Sequence, residues 1–384
     1  MGLFRSPSLR YILFVFLWTR LWLSGVAAAA WLWLPIDDNP LHRLDGWPQD
    51  GWYGILVTVW HRWDTIHYID IAANGYDEFT SVFYPLYPLA IRAVHTLTNL
   101  DYLLSALAVS NVSYLFVLFF LHRLTALELG REAANRAVLY LAVFPTAFFF
   151  LAGYNESLFL ALALGCFYYA RRGNWAAACL LGAGAALTRQ QGVLLLLPLV
   201  YVYARERRFS LKAMSPNALS LGLVPAASLG FSLWRTATLD VSWSLLPTLQ
   251  RYWGTQLAWP WETLWIVGER LIQFWSQGEL SPLLHTAKDL TIVTLFITLA
   301  VLSLSRLPRE YSLFAGAILA LMLMFVLPGP PMPSVSRYAL AAFPCFMVLA
   351  DFGKNKVMHR TVVLVSLAGL TVFTAYYATA WWIA

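Results

Sequence analysis

The sequence predicts an all-α polytopic membrane protein with about eleven transmembrane helices and a large first outer loop that carries interfacial helices. Three observations predict it. The 384 residues are 60% hydrophobic and only 12% charged, with a mean hydropathy of +0.62. Apolar runs recur from residue 11 to the end, and about 18 apolar residues suffice to cross a roughly 30 Å hydrocarbon layer as a helix. Short clusters of Lys and Arg separate those runs, as in the cytoplasmic loops of multi-pass proteins. Eighteen Trp and nineteen Tyr fit the same class, because both rings favour the membrane–water interface.

The first run, 11–34, is 24 residues long and follows Arg5 and Arg10. That is longer than the apolar region of a signal peptide, so it is read as an uncleaved helix with a cytoplasmic N-terminus. The next stretch then lies outside, and residues 35–82 hold eight of the twenty acidic residues. The segment FYPLYPLAIRAVHTL (83–97) is apolar enough to cross, but a crossing there would invert every later segment. Pro85 and Pro88 also make its start a poor continuous helix. It is predicted to be interfacial or re-entrant.

Placing the basic clusters at 122–136, 170–174, 204–209, 305–310 and 354–360 in the cytoplasm sets the remaining helices. They fall at 101–122, 137–152, 155–170, 175–188, 192–204, 216–235, 287–304, 310–328, 338–352 and 361–382. The pair 175–188 and 192–204 is short enough for a hairpin that does not fully span. The Trp-rich stretch 236–286 is amphipathic and is predicted to lie along the outer interface. No internal repeat and no low-complexity linker breaks the chain, so 1–384 reads as one membrane domain.

Several functions are excluded by what is missing. The net charge of +6 comes without a basic helix or an aromatic-basic RNA motif, so nucleic acid is not an expected partner. Cys166, Cys179 and Cys345 all sit in apolar runs, with no CxxC or Cys/His spacing, and read as packed thiols. There is no GxxxxGK[ST], GxSxG, HExxH or dinucleotide fingerprint. This chain is not expected to handle ATP.

The chemistry concentrates in RWDTIHYIDIAANGYDEF, where Asp64, Asp70, Asp77 and Glu78 fall within fifteen residues. Read as a helix, Asp64, His67 and Ile71 share a face, with Asp70 and Tyr68 on its shoulders. Asn74-Gly75 then supplies a stop, since Gly tolerates left-handed dihedrals. A carboxylate at the water-facing roof of a membrane cavity can take a proton from an alcohol. A solvated interfacial helix whose acids face water has the same spacing. The four carboxylates also offer oxygen ligands to a divalent cation, but adjacency in sequence is not a coordination sphere, and no residue is assigned to a metal.

Other polar groups sit among apolar runs: Arg20, Glu156 in GYNES, Arg189 in TRQQG and Arg337 in PSVSRY. An unpaired central arginine costs about 2.5–3.5 kcal/mol on insertion scales. Three arginines and a glutamate turned to one side suit a phosphate-bearing ligand, because guanidinium matches phosphate bidentately. Blander roles stay open. Arg20 can snorkel or pair with a buried acid, Glu156 can stabilise a helix start that Asn155 caps, and Arg337 can anchor at the interface.

Four motifs in order, RWDTIHYIDIAANGYDEFTSVFYPLYPL, FPTAFFFLAGYNESLFLAL, ALTRQQGVLLLLPL and SRYALAAFPCFMVLA, resemble those of the PIG-V-type mannosyltransferases. The resemblance spans about residues 10–352. That family is similar to the C-type glycosyltransferases, multi-spanning enzymes that use lipid-phosphate sugars. The resemblance implies a C-type fold, with a seven-helix catalytic module at 11–235 that includes the outer loop 35–100. A second outer loop at 236–286 and variable C-terminal helices at 287–384 follow. It implies inverting transfer of a hexose, mannose foremost, from a polyprenyl- or dolichyl-phosphate donor to a hydroxyl of a lipid or glycan acceptor. The active site would face the non-cytoplasmic side, and no cofactor would be required.

In residues, the resemblance puts the catalytic base at Asp64, with His67 orienting it or binding a sugar hydroxyl. Arg337, Arg189 and Arg20 would hold the donor phosphate. Trp63, Glu78, Tyr84, Tyr154, Glu156 and Tyr338 would line the substrate site. The chain is compact, with short cytoplasmic loops, so the glycolipid precursor used by the eukaryotic members is not implied as its acceptor. A transporter or flippase for a lipid-linked sugar would share the arginines and interfacial aromatics, though transporters often show inverted repeats, which are not visible here. Oligomeric state is left open.

Overall fold

The computed structural model describes residues 7–37, 46–210, 216–332 and 334–381. Arg5, and Asp38 and Asp45 of the first outer loop, lie outside the described residues. In chain order the first helices are α1 (Pro7–Trp33), α2 (Gly51–Leu56), α3 (Asp64–Asn74), α4 (Leu86–Thr98), α5 (Tyr102–Leu129), α6 (Arg131–Ala142) and α7 (Glu156–Ala170). Then come α8 (Trp175–Ala186), α9 (Leu196–Glu206), α10 (Leu223–Leu239), α11 (Leu246–Trp253), α12 (Pro260–Gln277), α13 (Leu280–Arg306) and α14 (Arg309–Met322). The last are α15 (Val335–Tyr338), α16 (Phe343–Phe352) and α17 (Lys356–Ala378). Two short strands, β1 (Gln256–Leu257) and β2 (Phe325–Val326), pair antiparallel with Gln256 opposite Val326.

Five helices among the described residues are long and apolar enough to cross a membrane: Pro7–Trp33, Tyr102–Leu129, Asn217–Leu239, Leu280–Arg306 and Lys356–Ala378. A sixth span arises if Val335–Ala341 and Phe343–Phe352, bent by 81°, are counted as one. The eleven expected crossings are therefore not all present as full-length helices. The others are short: α6 has 12 residues, α7 15 and α14 14, against roughly 20 for a 30 Å layer. The reason is visible in α7, which is buried on most of its circumference. A helix that is apolar all round can owe its apolarity to protein neighbours rather than to lipid. The basic stretch 122–136, expected as a loop, is also helical. α5 runs on to Leu129, and the turn shrinks to Gly130 at φ +84° before α6 begins.

The described residues form two compact units. The first holds the chain up to Gly75, then Tyr84–Arg172, and the chain from Leu349 onward. In it α5 packs on α4, α6 and α7, and α1 packs on α17. Asp101 caps α5 by accepting from the Leu104 N–H at 2.8 Å, which satisfies one of the orphan donors of the first turn. α3 begins at Asp64 and stops at Asn74, with Gly75 at φ +95°, as the Asn-Gly signal predicts. α4 is the FYPLYPL segment. Pro88 lies in its first turn, where the missing N–H costs little. At 13 residues α4 is shorter than the roughly 20 residues that cross a 30 Å layer. Arg92 Nε donates to the Ala72 carbonyl at 2.6 Å and ties α4 to the end of α3.

The second unit holds Tyr76–Phe83 and Gly173–Val348. α13 packs between α12 and α14, and α8 lies on α10. Arg205 on α9 clasps the buried Glu310 on α14 with two bonds of 2.9 and 3.2 Å. α12 buries Thr263, Val267 and Phe274 on one face and exposes Trp261, Trp265, Ile272 and Trp275 on the other. That division matches the interfacial amphipathic character expected of 236–286.

Candidate active site

The acidic part of the predicted site lies in the first unit, and its base is a short turn. Trp63 has φ +45° and ψ −118°, a conformation foreign to bulky residues. Such strain costs of order 1–3 kcal/mol and persists only where the surroundings enforce it. Trp63 is the N-cap of α3, so the strain sets the direction in which Asp64, the first helical residue, leaves the turn. Asp64 and His67 are both half-buried, one turn apart on the same helix.

The surroundings that hold the turn are largely buried. Tyr154 donates its hydroxyl to the Arg62 carbonyl at 3.4 Å, and Tyr377 donates to the Trp60 carbonyl at 3.3 Å. Arg62, 2% exposed, donates Nη2 to the Ala378 carbonyl at 3.2 Å and lies over the Trp31 ring. Burial lowers Arg62 to about 10, which leaves it cationic at neutral pH. Burial, reinforced by Arg62, pushes the His61 imidazole down to about 4 against the Trp47 ring.

The GYNES loop closes on this turn. A Cβ added to Gly153 would sit 2.6 Å from Thr65 Cγ2, so only glycine lets the loop approach α3 so closely. Ser110 donates to the Tyr154 carbonyl at 2.9 Å and bonds the Tyr87 hydroxyl at 2.7 Å. Tyr87 meets Tyr68 of α3 edge-on at 4.9 Å. Glu156 is buried at the start of α7, where the Asn155 side chain makes no cap hydrogen bond. Burial holds the Tyr87 phenol well above its usual range, and the Glu156 charge adds to that. Trp63, Asp64, His67, Tyr154 and Glu156 are thus built into one knit of α3, α4, α5 and the GYNES loop, and Tyr84 is buried in the same unit.

Arg20 also belongs to this unit. Its Nη1 donates to Asn111 Oδ1 at 3.2 Å and to the Phe150 carbonyl at 3.3 Å, and its guanidinium lies 4.5 Å from the Tyr114 ring centroid. It bridges α1, α5 and the turn after α6, with an amide, a carbonyl and a ring as partners.

The cationic part of the predicted site lies in the second unit. Arg189 and Arg337 are 8% and 7% exposed, and both guanidiniums lie over the Tyr338 ring, at 5.0 and 5.1 Å from its centroid. Arg337 Nη2 donates to the Tyr338 hydroxyl at 3.4 Å, and Arg189 Nε to Gln191 Oε1 at 3.3 Å. The structure therefore brings Arg189, Arg337 and Tyr338 together from motifs far apart in the chain. Two buried guanidiniums converging on one ring suit a multiply charged anion.

The remaining carboxylates scatter to separate partners. Asp70 is exposed and accepts from Asn74 at 2.7 Å. Asp77 accepts from the Thr80 N–H at 2.7 Å and caps the turn at 80–82. Glu78 pairs with Arg251 of α11 at 2.6 Å, beside a stack of Phe79 on Trp253. Among the described residues no group of three or more His, Cys, Asp or Glu is placed to hold a metal ion.

Sequence reasoning passed over Arg62, Arg251 and Tyr377. Arg62 stood inside the RWD motif as the charge next to the carboxylate and could have been marked. Nothing in the sequence links Tyr377 or Arg251 to the residues they contact.

Fold and side chains define a mostly helical integral membrane protein with acidic and cationic groups buried at its helix ends. Residues 10–233 match the model of the mannosyltransferase (PIG-V) family, and the chain belongs to that family. It is 35% identical over 167 residues to "GPI alpha-1,6-mannosyltransferase 2" of Mus musculus, covering 40% of this chain and 34% of that protein. It is 32% identical over 179 residues to "GPI mannosyltransferase 2" of Drosophila melanogaster, covering 41% and 38%. The chain thus spans about a third of the length of the curated relatives it matches. Among solved structures it is similar to ArnT from Cupriavidus metallidurans bound to undecaprenyl phosphate. That match has a TM-score of 0.46 at 15% identity, over 94% of this chain and 76% of that one, a likeness too loose to transfer residues or ligands.

Proposed function

We propose that this protein is an inverting glycosyltransferase. It moves a hexose, mannose foremost, from a polyprenyl- or dolichyl-phosphate donor to a hydroxyl of a lipid or glycan acceptor on the non-cytoplasmic side. The observation that carries the proposal is the strained Trp63 turn, which sets Asp64 at the head of α3, next to the Thr65 that meets the buried GYNES loop. Family membership supplies the reaction class.

In this scheme the acceptor hydroxyl gives its proton to the Asp64 carboxylate as its oxygen bonds to the anomeric carbon. The bond from that carbon to the phosphate oxygen breaks, with inversion, and the lipid phosphate leaves with both electrons. The leaving group needs charge stabilisation rather than a proton, a role assigned to Arg337 and Arg189. His67 orients Asp64 or a sugar hydroxyl, and Trp63, Tyr154, Glu156 and Tyr338 shape the substrate site. The outer placement rests on the Lys/Arg bias of the loops.

The test is transfer by purified protein given polyprenyl-phosphate mannose and a panel of lipid and glycan acceptors. Released polyprenyl phosphate should equal new glycoside, and Asp64→Asn should lower kcat by about 10²–10⁴-fold. Full activity of that variant would remove Asp64 as the base. The bent 335–352 helix pair is also a transporter trait. Movement of intact donor between vesicle leaflets, with no bond formed, would support transport instead.

A further inference from the structure

We infer that Tyr377, near the C-terminal end of α17, is a positioning residue for Asp64: its hydroxyl and ring pin the strained Trp63 turn from which Asp64 projects. The inference rests on the proposal that Asp64 is the reacting base. Tyr377 lies outside residues 10–233, the stretch matched to the family, so membership assigns it nothing.

The Tyr377 side chain is 1% exposed and sits at the centre of an aromatic cage. Its ring lies 5.0 Å from Trp63, 5.8 Å from Trp60, 5.0 Å from Phe148 and 5.9 Å from Phe149. Its hydroxyl donates to the Trp60 carbonyl at 3.3 Å and lies beside the hydroxyls of Thr65 and Tyr154. The Trp60 carbonyl also accepts from the Arg62 N–H at 3.2 Å. One residue on, the Ala378 carbonyl accepts from Arg62 Nη2. The end of α17 therefore holds the Trp60 carbonyl and the Arg62 side chain, on either side of His61, and touches the strained Trp63 ring itself.

A backbone at φ +45° on tryptophan relaxes unless its neighbours prevent it. Contacts that oppose relaxation here come from α17 and from Tyr154. Asp64 follows Trp63 directly, so a change in the Trp63 dihedrals swings the carboxylate. A misplacement of about 1 Å at a reacting group costs on the order of 10²-fold in rate. Tyr377→Phe keeps the ring and removes only the hydroxyl, so partial loosening is expected.

Two readouts test this on the full-length protein in lipid nanodiscs. The first is amide hydrogen exchange at Arg62–Ile66, which should quicken in Tyr377→Phe while the rest of α3 and α5 stays as in wild type. The second is steady-state transfer, in which kcat should fall about tenfold with donor KM within about twofold. Tyr376→Phe, an exposed neighbour on the same helix, should leave both unchanged. A Tyr377→Phe kcat within twofold of wild type, or a fall in kcat matched only by loss of folded protein, overturns the inference. If wild type itself shows no transfer, the proposed reaction fails instead, and unchanged exchange at 62–66 still refutes the pinning role.

Discussion

Gly153→Ala is a one-carbon change whose effect can be worked from the structure. Gly153 is glycine for space, because its Cβ would meet Thr65 Cγ2 at 2.6 Å and Ala106 Cβ at 3.3 Å. Ordinary contact begins at 3.4 Å, so the loop and the start of α3 must part by roughly 1 Å. Neither neighbour can rotate away: Thr65 is β-branched on a buried helical turn, and Ala106 has only its methyl. Overpacking of this kind costs about 1–3 kcal/mol. Because Thr65 follows Asp64, the displacement acts on the proposed base, and kcat should fall by about 10²-fold. The assay is saturating transfer alongside thermal unfolding in detergent. Thr65→Ser removes the offending Cγ2, so the double variant should recover most of both losses, giving a coupling energy of about 0.5–3 kcal/mol. Wild-type kcat and stability for Gly153→Ala, or no rescue by Thr65→Ser, would show that the loop does not press on α3.

Arg337→Lys keeps the charge but removes the planar fork that stacks on Tyr338 and reaches its hydroxyl; because the proposed role of Arg337 is to meet charge that develops on the leaving phosphate, kcat should fall about tenfold with donor KM changed far less, read from initial rates across donor concentrations. His61 gives the pH prediction: its folded pKa of about 4 lies below the ordinary 6.5, so the unfolded chain binds more protons between those values. Stability from the neutral imidazole is therefore complete above about pH 6.5 and is lost as pH falls toward 4, up to roughly 3 kcal/mol. His61→Gln should flatten unfolding midpoints measured across that window, and an unchanged slope would count against burial as the cause.

How much of this was legible in the sequence depends on the range of the interaction concerned. α3 was legible as a helix with a defined end, because Asn74-Gly75 is a local stop, but its start at the Trp63 turn carries no local capping signal. The five long spans were legible from hydropathy alone. The short helices α7, α8 and α14 were legible as apolar runs, each start within one residue of where it was expected, but not as protein-buried helices, since a run buried by protein and a run buried by lipid have the same composition. The pairing of Arg189 and Arg337 on one ring could be expected as a shared role but not as a shared tyrosine. Arg20 looked like an intramembrane charge in search of an anion. Within the fold it donates to Asn111 and to the Phe150 carbonyl, neutral groups that no charge pattern reveals. The Trp63 dihedral and the grip of Tyr377 were invisible, because both depend on groups brought from the far end of the chain.

That last contact has a consequence for how the protein is made. Arg62 and Ala378 are 316 residues apart, and a ribosome adding about 5–20 residues per second needs roughly 15–60 s to pass from one to the other. For the later part of that interval α3 and the GYNES loop are both present, yet the turn before Asp64 lacks its final clasp. The helix that completes the turn leaves the ribosome long after the turn itself. A nascent chain can therefore have α3 and the loop that packs on it well before it has the final geometry of the turn that carries Asp64.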